Sequence, residues 1–262
     1  MRKSLLVLLL WAQAVVAQVP ASNPQVGQPL ALHTQQAIQR FLLHNHILDT
    51  PQALDSAPYI VAADAGRVLG ANGERVYARG GLDPSVQSYG IFRRGKVYTD
   101  PDSQELLGIH ADDIGTARFV TAGDVSTLGV QRVTQEVRPG DRLLSPPAPL
   151  DLASLVVQWP AQAIAGSIID VPRGVTQIGV LDAVTLNKGR RDGLMEGHLL
   201  AVVKTGETVR DRVTGAPVKI PDETAGTLLV FRTYEKLSYG LVLSASRSLA
   251  VMDRFEAPDR TQ

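Results

Sequence analysis

The chain contains no cysteine. That absence excludes disulfides, thiolate metal sites and attachment of a lipid through an N-terminal cysteine. Nor is there an excess of either charge, because 26 Lys and Arg stand against 26 Asp and Glu. Loss of residues 1–17 would remove Arg2 and Lys3 and no acid, leaving 24 bases against 26 acids and a net charge near −2. This balance gives no support for a nucleic-acid partner, whose phosphates require a basic face. The N-terminal apolar run, Leu5 to Leu10 followed by Trp11, is shorter than the roughly 20 residues of a membrane span.

Motifs that carry chemistry are missing as well. The segment Asn187-Lys-Gly-Arg-Arg-Asp-Gly-Leu-Met-Glu-Gly197 has the glycines of an anion-seating loop but not the spacing of a Walker loop. No serine occupies a nucleophile elbow. His44-Asn-His46 falls in a stretch read as helix, where i and i+2 point to different faces. His33, His110 and His198 are scattered without metal-ligand spacing. Asp100-Pro-Asp102 and Asp112-Asp113 lack the glycine and terminal Glu of a calcium loop in register. No pair of carboxylates is marked for glycoside hydrolysis. The expectation is a protein that is not an enzyme and carries no cofactor or metal.

What is present begins with an export signal. Met1-Arg-Lys3 is basic, the apolar run follows, and Ala14-Val-Val-Ala17 offers small residues for cleavage after Ala17. A periplasmic protein that does not span the membrane after cleavage is expected. A hydrophobic content of 44% with 23 Gly and 16 Pro suits a folded, turn-rich chain.

The last two-thirds read as one pattern written twice. Tyr89-Gly-Ile-Phe-Arg-Arg-Gly95 matches Leu200-Ala-Val-Val-Lys-Thr-Gly206 at an offset of 111, which also carries Gly115 onto Gly226 and Gly129 onto Gly240. Arg75-Val-Tyr-Ala-Arg-Gly80 falls on Val184-Thr-Leu-Asn-Lys-Gly189, and Asp141-Arg-Leu143 on Asp253-Arg-Phe255. Glycines and apolar positions repeat rather than acids, bases or nucleophiles, so the repeat preserves a backbone shape.

Thr34 is a candidate N-cap for a helix over 35–48, with Ala37, Ile38, Phe41, Leu42, Ile47 and Leu48 as one apolar stripe. Thr50-Pro51 starts a second short helix. This helical pair is expected to dock on the sheet that follows it. From Tyr59 onward the period is that of strands: 59–62, 75–78, 89–92, 96–99, 114–121 and 132–137, then 167–171, 183–186, 199–204, 226–233 and 238–245. The expected fold is mainly β, with two related small β-barrel or sandwich-like domains preceded by a short helical segment. The expected boundaries are a signal peptide at 1–17, a disordered lead-in at 18–33, the helical segment at 34–57, a first β domain at 58–144, a Pro-rich connector at 145–165, a second β domain at 166–257 and a tail at 258–262.

Charged or glycine-rich loops are the candidate partner contacts. They are Gly80, Asp83 and Tyr89 in the first copy, and Gly189, Arg190, Arg191, Asp192 and Gly193 in the second. The polar hairpin around Arg210, Asp211 and Arg212, matched in the first copy by Arg94 to Glu105, completes the set. A solvated hairpin is the plain alternative for both.

Residues 55–143 and 166–256 resemble the C-terminal region of the exported LysM peptidoglycan-binding proteins, which include the type IV pilus secretin-associated protein. The segments Asp170-Val-Pro-Arg-Gly-Val-Thr-Gln-Ile-Gly179, Lys204-Thr-Gly-Glu-Thr-Val-Arg-Asp-Arg-Val-Thr-Gly215, Phe231-Arg-Thr-Tyr and Ser244-Ala-Ser-Arg247 carry the likeness. The resemblance implies a periplasmic accessory protein whose C-terminal region supports a secretin pore. The family's glycan-binding LysM module, some 45–50 residues opening on a Tyr-x-Val-x-x-Gly-Asp-Thr-Leu-like string, is not found, since only 18–33 separate the signal from the first helix. Association with an envelope complex is therefore the expected activity. Peptidoglycan binding by the C-terminal β region itself is the alternative.

Overall fold

The structure, a computed structural model, describes residues 26–63, 73–147, 149–172, 174 and 177–258. The expected signal peptide and residues 18–25 lie outside them. The described chain opens with helix α1 (Leu32–Leu42), strand β1 (Asn45–Leu48) and helix α2 (Pro51–Asp55). The expected helix over 35–48 therefore stops early, and His44-Asn-His46 does not sit within it. The Asn45 side chain donates to the Phe41 carbonyl at 2.8 Å and occupies an acceptor at the helix end. The backbone of β1 then gains an antiparallel partner, with Asn45 opposite Asp112 and Leu48 opposite Ile109. Tertiary pairing overrides the helical spacing. Thr34 is buried inside α1, and Ala31 is the N-cap without a side-chain bond. At α2 the sequence signals hold: Pro51 begins the helix and the Ala53 N–H donates to Thr50 Oγ1 at 3.3 Å.

The first half continues with β2 (Tyr59–Ala63), β3 (Arg75–Arg79), β4 (Ser88–Thr99), β5 (Leu106–Thr121), β6 (Ser126–Val133) and β7 (Arg142–Leu144). The sheet order is β1-β5-β4-β7-β2-β3-β6, and an additional β5–β6 pairing closes six of these strands into a ring. The second half holds β8 (Ala165–Asp170), β9 (Ala183–Leu186), β10 (Leu199–Lys204), β11 (Thr208–Arg210), β12 (Pro217–Lys219), β13 (Glu223–Thr233), β14 (Ser238–Ala245) and β15 (Arg254–Glu256). Six of them form a closed barrel, β10-β13-β14-β9-β8-β15, with β11 and β12 as a separate hairpin. Matching β2, β3, β4, β5, β6 and β7 to β8, β9, β10, β13, β14 and β15 makes the two ring orders identical. The molecule is mainly β, built on one topology used twice.

Several expected strand limits move. The separate strands at 89–92 and 96–99 are one strand, β4, with irregular pairing between Arg94 and Val97. The strand expected at 132–137 is β6 at 126–133, because its N-terminal half pairs with β3 through Arg75 and Gly129.

The pleat directs alternate side chains inward. Ile60, Val76, Ala78, Ile91, Val130 and Leu143 fill the first barrel. Their repeat counterparts Ile168, Val184, Leu186, Val202, Val242 and Phe255 fill the second. Strand pairing shifts the sequence alignment by one residue at two strands: Val184 matches Val76 rather than Arg75, and Gly240 matches Leu128 rather than Gly129. Two glycines of the repeat have a shared steric reason. A Cβ on Gly115 would lie 2.2 Å from the Arg132 carbonyl oxygen, and one on Gly226 would lie 2.5 Å from that of Ser244.

A polar corner repeats as well. The Ile60 N–H donates to the Asp141 carbonyl at 2.8 Å, and the Ile168 N–H to that of Asp253 at 2.9 Å. Asp141 Oδ2 accepts the Arg138 N–H at 2.7 Å, and Asp253 Oδ2 accepts the Ala250 N–H at 2.8 Å. Arg93 forks onto Asp141 at 2.8 and 2.9 Å, while Lys204 reaches Asp253 at 2.7 Å.

The largest cluster lies outside the barrels. The outer face of the second barrel (Phe231, Tyr239, Leu241) is covered by Ile38 and Phe41 of α1 and by Leu152, Leu155 and Val157 of the connector. Phe41 meets the rings of Phe231 and Tyr239 edge-on, with centroids 5.6 and 4.8 Å away. Helix α1 thus docks on the second barrel rather than on the sheet that follows it.

Candidate interaction surface

Strands β4 and β5 are longer than their ring requires, so they extend beyond the first barrel as a hairpin arm and reach the second. Tyr98 and Leu107, at 2% and 0% exposure, join the cluster on the second barrel's outer face. Tyr98 Oη donates to Asp170 Oδ2 at 2.9 Å, and Lys96 pairs with the same carboxylate. Burial, reinforced by Asp170, raises the Tyr98 hydroxyl well above its usual pKa, which keeps it a donor. At the turn, Asn187 Nδ2 donates to Asp100 Oδ2 at 2.9 Å. Arg191 forks onto Glu105 with both contacts at 2.7 Å, and Lys236 reaches Glu105 at 2.8 Å. Hydrogen bonds from Arg191 and then Lys236 pull the Glu105 carboxyl down to about 2.

The second barrel has the corresponding arm in β11 and β12, and its tip repeats the first bond for bond. The Asp100 N–H donates to the Glu105 carbonyl at 2.8 Å, and the Asp211 N–H to that of Ala216 at 2.9 Å. The Gln104 N–H donates to the Asp100 carbonyl and the Gly215 N–H to that of Asp211, both at 2.9 Å. Asp100 Oδ1 accepts the Asp102 N–H at 3.0 Å, and Asp211 Oδ1 accepts the Val213 N–H at 2.8 Å. Even the left-handed position recurs, with φ of 60° at Gln104 and 73° at Gly215. What differs is the environment. Asp100 is buried against Asn187, whereas β11 and β12 are exposed along their whole length.

The residues expected to make partner contacts separate into three places. Arg190 to Asp192 form a single 3-10 turn closed by Gly193 at φ 88°. A Cβ on Gly189 would lie 2.6 Å from the Glu235 carbonyl, so that turn packs directly on the 234–237 loop. Arg191 is engaged by the first arm, so this turn contacts the chain's own first barrel. Gly80, at φ 111°, abuts Pro58, and Tyr89 is buried inside the first barrel. Tyr89 Oη and the Asp83 backbone exchange two hydrogen bonds, at 2.7 and 2.8 Å. Asp83 itself is exposed. Arg210, Asp211 and Arg212 form the exposed second tip. In the joint between barrels, Tyr98 and Glu105 belong to the first-copy hairpin that the sequence offers as a contact, whereas Asp170, Asn187 and Lys236 are not singled out by it. The offset of 111 between Asp100 and Asp211 was the available signal.

One polar cleft brings together residues that the sequence scatters. His44 Nδ1 lies 2.8 Å from Asp113 Oδ2, and Arg132 forks onto the same carboxylate at 2.9 Å on both oxygens. His110 bridges Asp112 at 2.9 Å and Asn45 at 3.3 Å. The cleft also exposes Thr134, Gln135 and Pro172. Its lining includes no serine, and among the described residues no group of three or more His, Asp or Glu converges for a metal. Asp113 is already held by an arginine fork, a structural use of the carboxylate.

No protein-family model and no curated protein matches the chain. Among the described residues no helix is long and apolar enough to cross a membrane.

Proposed function

We propose that the chain is a non-enzymatic accessory of the bacterial envelope that works by presenting its duplicated β scaffold to a larger assembly, a type IV pilus secretin being the first candidate. The observation that carries this reading is the second arm, which has an ordered, internally bonded tip on which nothing is packed among the described residues. An arm of this kind offers both side chains and strand edges to a partner, and edge addition supplies affinity through main-chain hydrogen bonds. The export signal at residues 1–17 and the resemblance of residues 55–143 and 166–256 to secretin-associated proteins support the location and the partner class.

The test is affinity capture from detergent-solubilised envelopes with the tagged, exported chain. Retention of the secretin, lost when residues 208–219 are replaced by a short glycine-serine turn, is expected. Capture of every other envelope complex tested but not the secretin would reject this partner. Sedimentation with purified sacculi separates the glycan-binding alternative: the scaffold reading leaves the chain in the supernatant.

A further inference from the structure

The two arms share one tip, but among the described residues only the first is docked. We infer that the second arm docks on the first barrel of another copy, repeating between molecules the joint already made between the two barrels. This follows from the repeat and does not depend on the identity of any envelope partner.

The geometry is directional. The first arm leaves its barrel at one end and meets the loops 188–198 and 234–237 at the opposite end of the second barrel. The second arm leaves the second barrel in the corresponding way. The matching loops of the first barrel are 80–87 and 122–125, the latter followed by Ser126 where the second copy has Ser238. These loops are largely exposed, with Val125 at 45%. A donor arm and an unfilled acceptor thus stand at opposite ends of the molecule, which is the arrangement of a heterologous, head-to-tail contact.

The side chains correspond position by position. Tyr98 and Leu107 of the first arm become Val209 and Val218 of the second, 40% and 45% exposed. On the acceptor, Leu237, which packs beside the first arm at Gly108, becomes Val125. Thr185 becomes the half-buried Tyr77. Charge is exchanged across the contact. In the internal joint the acid Glu105 on the arm meets Arg191 and Lys236 on the loops. In the second arm Ala216 replaces Glu105, and the tip carries the bases Arg210 and Arg212. The acceptor loops carry Asp83 and Asp124 and no base, with Asp124 at the place of Lys236. At the place of the Glu105 contact the acid is gone and two arginines flank Asp211, while Asp83 and Asp124 stand at the places of Arg191 and Lys236, so complementarity is retained at that part of the contact.

Sedimentation velocity over a dilution series of the exported chain is the first measurement, and concentration-dependent association is expected. The donor variant Val209→Asp with Val218→Asp, and separately the acceptor variant Val125→Asp, should each raise the apparent Kd at least about tenfold. Mixed in equal amounts, the two variants should form a one-to-one dimer and nothing larger, because each retains the half-site that the other lacks. Arg212→Glu, a charge change on an exposed tip, gives the same donor defect if the double variant does not fold. A wild-type chain that stays monomeric throughout overturns the inference. So does association untouched by these variants, or a mixture that fails to pair.

Discussion

The duplicated corner gives a graded prediction about stability. Asp141→Ala removes the acceptor of the Arg93 fork and of the Arg138 N–H at a side chain only 3% exposed. Breaking a buried pair while its partner stays behind costs about 3–5 kcal/mol. Arg93 is 29% exposed and recovers some hydration, so the lower end, about 3 kcal/mol, applies. Asp253→Ala removes the same backbone acceptor, but its carboxylate is 13% exposed and holds a lysine rather than a fork. About 2 kcal/mol is expected there, since one ammonium nitrogen, though within reach of both oxygens, lacks the two parallel N–H bonds of an arginine fork. For a chain of this size 1 kcal/mol moves the thermal midpoint by about 2–4 °C, so the losses are about 6–12 °C and about 4–8 °C. Asp141→Asn keeps one carbonyl acceptor and should fall between wild type and Asp141→Ala. Circular dichroism melting reads all three. A shift under about 2 °C for Asp141→Ala, or a larger loss at Asp253, would refute the shared-corner reasoning.

Two further outcomes follow from local chemistry. Burial, aided by His110 and Arg232 and opposed by Asp113, lowers the His46 imidazole to about 4. The unfolded chain therefore binds the extra proton first, and stability falls as pH drops from about 6.5 to about 4, by up to about 3 kcal/mol. Urea midpoints across this range should flatten in His46→Phe, and an unchanged slope would contradict the assignment. At the second corner Met252 sits at φ 76° where the first copy has Gly140 at φ 94°. Left-handed backbone costs a non-glycine residue about 1–2 kcal/mol, against about 0.5–1 kcal/mol for glycine's extra freedom when unfolded. Met252→Gly should raise the melting midpoint slightly and Gly140→Ala, with no atom within 4 Å of its added methyl, should lower it. Opposite signs would show that Met252 is held by side-chain contacts instead.

The barrels were legible because their information is local and duplicated. Alternation at Arg75 to Arg79 and the short apolar run Leu199 to Val203 placed strands directly, and Gly115 with Gly226 marked the same close approach twice. The helix over 35–48 failed where a non-local partner decided the outcome: nothing beside Asn45 in sequence shows that Asp112 will pair with it. The docking of Phe41 on Phe231 and Tyr239 was hidden for the same reason. At the candidate surface, charge and glycine content singled out Arg191 and Arg210 alike. Only the fold distinguishes them, since Arg191 is closed by Glu105 and Arg210 stands on the free tip. Tyr89 stands where the loop from Gly80 meets a strand, and only the fold shows that its ring completes the first core instead of facing a partner.

Amide hydrogen exchange on the dilute, monomeric chain tests the central claim most directly. The Asp100 and Gln104 amides make the same local hydrogen bonds as those of Asp211 and Gly215, so any difference reports docking alone. After correction for intrinsic rates, slow exchange at 99–105 and fast exchange at 210–216 is predicted. Equal protection at the two tips, or greater protection at the second, would contradict an account in which one arm is docked and its twin is free.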